Sequence, residues 1–71
     1  MPEPLRYQFV IAGELSARVL AAFPELRAST HQYGGVTNLF GPVSDQTELR
    51  SIMARIDSLG LNLVEMRQLP D

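Results

Sequence analysis

The chain contains no cysteine, which excludes a disulfide framework, a thiolate zinc site, a catalytic thiol and a redox pair. Lysine is absent as well, and all six basic residues are arginine. Coding bias accounts for that before function does, although arginine is the residue suited to planar, bidentate anion contacts. Positive charge is in short supply. Eight acidic residues against the six basic ones leave a net charge of −2, whereas nucleic-acid binders present a basic stripe that displaces counterions from phosphates. No nucleic-acid partner is therefore expected. No run approaches the roughly 20 apolar residues of a membrane span, so no membrane partner is expected either. The opening Met1-Pro2-Glu3-Pro4 has neither the basic nor the apolar stretch of an export signal, which makes cytoplasm the expected location. Internal repeats and low-complexity segments are missing.

What is present is a composition of 45% hydrophobic and 20% charged residues over 71 positions. That is too apolar for a disordered chain and too short for more than one domain, taken as residues 1–71 with 1–4 and 70–71 as tails. A chain of this size buries only about 60% of the surface its unfolded form exposes, so association is an obvious way to bury more.

Strand and helix patterns alternate. From Leu5 to Ile11 the residues Leu5, Tyr7, Phe9 and Ile11 alternate with Arg6, Gln8 and Val10, the period of a half-buried strand. Gly13 breaks the run, and Leu15, Val19, Leu20 and Phe23 then recur at helical spacing, with Ser16 as N-cap, Leu15 and Leu20 placed as a hydrophobic staple, and Pro24 as the stop. Leu26 to Gln32 is a weak second strand. Tyr33-Gly34-Gly35 signals a hairpin turn, and Val36 to Phe40 is the returning strand. Asp45 with Glu48 three residues on starts a second helix whose apolar stripe is Leu49, Ile52, Met53, Ile56 and Leu59. Gly60 ends it as a left-handed cap, with Ile56 and Leu61 as the accompanying apolar contact. Leu61 to Leu69 is the fourth strand.

This order implies an α+β, ferredoxin-like βαββαβ domain, a four-stranded antiparallel sheet with both helices on one face. The expected core is Tyr7, Phe9, Ile11, Leu20, Phe23, Leu26, Ala28, Leu39, Leu49, Ile52, Met53, Ile56 and Leu59. The other face of the sheet has no helix to cover it.

One stretch also carries a resemblance. Gly41-Pro42-Val43, Asp45-Gln46, Ile52 to Leu59 and Gly60-Leu61 running into Leu63-Val64-Glu65-Met66-Arg67 are similar to a group of small single-domain proteins found mainly in actinobacteria, with a ferredoxin-like, ACT-like topology. The similarity extends more loosely back to Ala22-Phe23-Pro24 and Leu5. The resemblance implies the fold and brings no catalytic residues, because that group has no established activity.

The chemistries hosted by such a fold each lack a part here. Metal chaperones need Cys-x-x-Cys where this chain has Ala12-Gly13-Glu14-Leu15-Ser16. Acylphosphatase-like catalysis needs a positive, glycine-rich phosphate cradle at that same loop, where Glu14 is negative and the nearby Arg18 falls within the helix. RNA-recognition sheets stack bases on several aromatics, and here the open positions of the first and third strands hold only Phe40. His31 is the single histidine, so neither a multi-histidine metal site nor a Ser-His-acid relay can be assembled. Met53 and Met66 would suit an irregular ligand pocket, but Met53 belongs to the helix stripe and suggests core before pocket. No glycine belongs to a G-x-G-x-x-G or Walker sequence. No catalytic residue, cofactor or metal ligand is expected.

The uncovered face remains. It brings together Arg6, Gln8 and Val10 from the first strand, Arg27 and His31 from the second, Val36, Asn38 and Phe40 from the third, and Glu65 and Arg67 from the fourth, with Leu63 or Val64 beside them. Glu65 and Arg67 are two apart on one face, as suits a solvated or intermolecular ion pair. Apolar centres among arginine and polar groups are what an interface needs. The expectation is a non-enzymatic, homo-oligomeric binding or regulatory module, most simply a homodimer, taking a small effector or a larger protein on this face. The alternatives are a small dimeric α/β-barrel-type enzyme with a pocket between paired sheets, and an accessory subunit of a larger protein. Replacing the lone histidine, His31→Ala, should leave folding intact, and zinc should not raise the melting temperature of the native chain. A zinc-dependent rise that the variant lacks would contradict this.

Overall fold

The computed structural model describes residues 5–31 and 35–70, with the side chains of residues 30 and 31 left aside. Six elements follow one another: β1 (Leu5–Ala12), α1 (Ala17–Leu20), β2 (Arg27–His31), β3 (Val36–Val43), α2 (Gln46–Ser58) and β4 (Leu63–Leu69). The strands form one four-stranded sheet in the order β2-β3-β1-β4, and every neighbouring pair is antiparallel. The domain is thus α+β, with an antiparallel sheet and two helices. No helix among the described residues is long and apolar enough to cross a membrane.

The alternation in β1 divides the sheet into two sides. Phe9 and Ile11 are fully buried and pack with Leu39 and Val43 of β3, Ile52 and Ile56 of α2, and Phe23 and Leu26 of the α1–β2 connection. Gln8 and Val10 point the other way. Thr37 is buried on the packed side, where its hydroxyl donates to the Gly13 carbonyl at 2.8 Å. That bond removes the penalty of burying a polar group without a partner.

The second helix follows its signals closely. The Asp45 carboxylate accepts from the Glu48 amide at 2.8 Å. At the other end Gly60 has φ of 71°, its amide donates to the Asp57 carbonyl, and the Leu61 amide donates to Ile56, both at 3.0 Å. Those two bonds are the Schellman ending, and the left-handed φ is why glycine stands there.

The first helix is shorter than its pattern predicts. Ser16 caps it by accepting from the Val19 amide at 3.2 Å, but the α-helix is a single turn. Ala22 and Phe23 instead donate to Val19 and Leu20, each three residues back, at 3.0 Å. A ring at Pro24 would clash with the Leu20 carbonyl in a continuing α-helix, so the chain tightens and delivers Phe23 into the core.

Strand β3 is longer than its pattern predicts, running past Phe40 through Gly41 and Pro42 to Val43. Its pairing with β2 ends at Arg27↔Phe40, so Pro42 sits where β3 has β1 as its one neighbour and a missing N–H is tolerated. Gly41 is there for close approach: a Cβ would lie 3.0 Å from the Glu25 carbonyl oxygen and 3.1 Å from Leu26 Cδ2.

The core also differs from the apolar pattern. Val43 and Thr37 join it. Met53 is 39% exposed and Leu59 42% exposed, Ala28 is exposed, and Tyr7, Leu20 and Leu49 are half-buried. A one-turn α1 covers too little of the sheet to bury Ala28 on the outer strand β2. Strand β4 begins at Leu63 rather than Leu61. Of the expected hairpin turn, Tyr33 and Gly34 lie outside the described residues.

One ion pair ties α2 to the α1–β2 connection. Arg55 contacts the Glu25 carboxylate at 2.9 and 3.2 Å, donates to the Ala22 carbonyl at 2.6 Å, and lies over the Phe23 ring at 5.3 Å from its centroid. The Arg55 hydrogen bond holds the Glu25 carboxyl below its ordinary range, against a smaller opposing effect of desolvation.

Two outcomes are expected. Leu39, only 1% exposed, cannot accept a charge: Leu39→Asp buries an unpaired carboxylate at a cost of several kcal/mol, comparable with the whole stability of a small domain, and circular dichroism should show an unfolded chain. A folded Leu39→Asp would mean that the strand faces are assigned one residue out of register. For the ion pair, the lowered folded-state value of Glu25 gives stability that is complete above the ordinary carboxylate range. It is lost as pH falls through the lowered value. Glu25→Gln should cost at most about 1 kcal/mol at neutral pH, because the pair is partly solvated, and should flatten the acid limb of a denaturant-stability profile. An unchanged acid limb would remove Glu25 as its source.

Candidate functional site

The side of the sheet away from the core is built from the alternate positions of four strands. In register across it, Arg27 pairs with Phe40, Phe40 with Gln8, and Gln8 with Arg67, so one row crosses β2, β3, β1 and β4. The next row is Ser29, Asn38, Val10 and Glu65. Arg6 stands opposite Pro42 on one flank and Leu69 on the other, and His31 is in register with Val36. The backbone pairing puts Arg6, Gln8, Val10, Arg27, Val36, Asn38, Phe40, Glu65 and Arg67 on one side, while the side chain of His31 lies outside the described residues.

Their exposure is graded. Phe40, Val10, Val36, Gln8 and Asn38, on the two inner strands, are half-buried. Arg6, Arg27, Glu65 and Arg67 are exposed around them. Apolar and amide groups thus occupy the centre of this side and charged groups its rim.

A chain of hydrogen bonds stiffens the centre. Arg67 Nε donates to Gln8 Oε1 at 3.0 Å, and Gln8 Nε2 donates to Asn38 Oδ1 at 3.2 Å. Three strands are joined through one amide that accepts on one flank and donates on the other. The bond described for Arg67 goes to Gln8 and not to its same-face neighbour Glu65. Sequence patterning placed these residues on one side, but cross-strand partners depend on register, which alternation alone does not supply. Three arginines against one glutamate also give this side a surplus of positive charge on a chain whose net charge is −2.

Leu63 does not belong here. Between Val10 and Ile11 the pairing with β4 shifts, so that Glu65 lies opposite Val10 and Leu63 opposite Ile11. Leu63 consequently packs half-buried against the core, and Val64 is the extra bulge residue, 59% exposed.

One concavity among the described residues is small. A depression of about 140 Å³ lies between Leu5, Tyr7, Val43, Ser44, Asp45 and Leu49, at the start of α2. Ligand pockets usually enclose roughly 300–1,000 Å³, so a single chain offers no enclosure for a substrate of ordinary size there. Among the described residues no three His, Cys, Asp or Glu side chains are grouped to hold a metal ion.

A family model described as Domain of unknown function (DUF8691) matches residues 6–67, a span that takes in both helices, β2 and β3 whole, and all but the outer ends of β1 and β4. No curated protein matches the chain, and no solved structure does.

Proposed function

The chain belongs to this family of unknown function, and from a membership that assigns no chemistry we propose that it is a non-enzymatic, homo-oligomeric binding or regulatory module that recognises its partner on the open sheet face. The observation that supports this most directly is the Arg67–Gln8–Asn38 chain, which orders polar side chains across three strands around the half-buried Phe40. A solvated surface with no partner gains little from holding such groups in one arrangement, whereas a recognition surface ordered in advance loses less entropy on binding. The rim arginines favour an anionic or carboxylate-bearing partner, either a small effector or an acidic protein surface.

We read the arrangement β2-β3-β1-β4, antiparallel throughout, as ferredoxin-like, and the affiliation with small actinobacterial, ACT-like proteins is part of the same reading. So is a cytoplasmic setting, in which a chain without cysteine loses nothing. An enzyme of the dimeric α/β-barrel type requires two such faces to enclose a pocket lined with acid-base groups. The face residues here include a single carboxylate, Glu65, and no described pair of groups poised for proton transfer, so the binding reading is preferred.

Light scattering at micromolar concentration should report an oligomer, and a monomer that persists to high concentration would remove the oligomeric half of the proposal. A thermal-shift panel of small anionic metabolites tests the other half. At least one should stabilise the native chain, and Phe40→Asp should abolish that shift while keeping native circular dichroism, because an aromatic at the centre of a patch is where binding energy concentrates. A variant that responds to the panel as the native chain does would make Phe40 a bystander.

A further inference from the structure

Strand β4 is the outer strand of the sheet on the β1 side, and its seven residues, Leu-Val-Glu-Met-Arg-Gln-Leu, present a row of backbone groups with no further strand among the described residues. Natural proteins guard such edges with charge or bulges. The bulge at Val64 interrupts this one at its start, but the charges along it are of mixed sign, and their spacing is self-complementary rather than repulsive.

We infer that two copies of the chain pair antiparallel through their β4 edges, about a two-fold axis that passes by Met66. Parity of the side chains selects this register. With the axis perpendicular to the sheet, both copies keep their helices on one side, and residues opposite each other must point to the same side. The axis then falls on a residue, and the interior choices are Glu65, Met66 and Arg67. Centring on Glu65 sets glutamate against glutamate. Centring on Arg67 sets arginine against arginine. Only Met66 places Glu65 of each copy opposite Arg67 of the other, twice over, on the open side. On the helix side the same register brings together the two Met66 side chains, each 37% exposed in the single chain. An axis in the plane of the sheet along β4 would instead make the pair parallel and turn the second copy's helices to the other side, setting Glu65 against an apolar or amide side chain and leaving both charges unpaired.

The inference rests on the proposed oligomeric module and specifies its assembly: the two open faces become one eight-stranded surface that pairing leaves uncovered. Arg67 can serve both contacts, because its Nε is bonded to Gln8 within the chain and its guanidinium carries further N–H groups.

The test is charge exchange in the full-length chain, read by analytical ultracentrifugation at low ionic strength with circular dichroism as a check on folding. Glu65→Arg sets arginine against arginine across the axis and should weaken self-association on the order of ten-fold or more. Arg67→Glu sets glutamate against glutamate and should do the same. An equimolar mixture of the two variants should associate as a heterodimer, and the double variant Glu65→Arg/Arg67→Glu should self-associate again. Phe40→Asp should leave the dimer intact. Should Arg67→Glu misfold through loss of its bond to Gln8, Glu65→Arg and the double variant still decide the matter. A dimer indifferent to Glu65→Arg but abolished by Phe40→Asp would overturn edge pairing while leaving the oligomeric module standing. A chain that never dimerises would overturn both.

Discussion

Strand β1 is the constraint on which the rest depends. It is paired on both flanks, to β3 and to β4, and its side chains are divided cleanly: Phe9 and Ile11 are fully buried, while Gln8 and Val10 between them face the open side. Because successive side chains of a strand point to opposite faces, a slip of one residue would put two large apolar groups in water and an amide in the core. That cost sets the register of both neighbours. It places Leu39 and Thr37 of β3 beneath the helices, and it aligns Asn38, Gln8 and Arg67 so that their side chains meet. The hydrogen-bonded centre of the open face is thus a by-product of apolar burial on the other side.

The helix layer is thin, and much of the surface character follows from that. With α1 reduced to one turn, α2 supplies the main apolar cover, through Ile52 and Ile56. The α1–β2 connection fills in with Phe23 and Leu26, and Arg55 fastens it to α2 through Glu25, the Ala22 carbonyl and the Phe23 ring. Gly41 is part of the same contact, because its missing side chain lets that connection reach β3. The cover does not extend over every position that faces it. Met66, directly opposite the buried Phe9 in the β1–β4 pairing, is left partly in solvent.

Much of this was legible in the sequence because periodicity and caps are local. The alternation of β1, the Asp45 cap and the Gly60 ending each depend on residues a few places apart, and each is found where the pattern puts it. What was not legible depends on contacts distant along the chain. Gly41 and Pro42 look like a strand end, and only the absence of β2 beside them and the closeness of Glu25 and Leu26 explain why β3 continues to Val43. Met53 and Leu59 fall on an amphipathic stripe, yet a stripe wider than the sheet beneath it leaves its margins exposed. The bulge that turns Leu63 inward has no local signature, since Leu63 and Val64 are both apolar and either would suit the position. Thr37 is not legible as a core residue, because a hydroxyl counts as polar until its acceptor, the Gly13 carbonyl, is known.

The same distinction bears on what the open face can recognise. A face read from composition alone is a mixture of arginine, amide and apolar residues, which suits almost any partner. Register reduces that breadth. The half-buried Phe40 lies between Arg27 and Gln8, and Gln8 is fixed on one side by Arg67 and on the other holds Asn38. Arg6 and Arg27 are the guanidinium groups of this face with no described bond committing them, Arg27 beside Phe40 from β2 and Arg6 two places before Gln8 on β1. On the proposed reading, a ligand resting on Phe40 would have both guanidinium groups beside it, whereas one confined to a single arginine would gain only a solvated ion pair worth little.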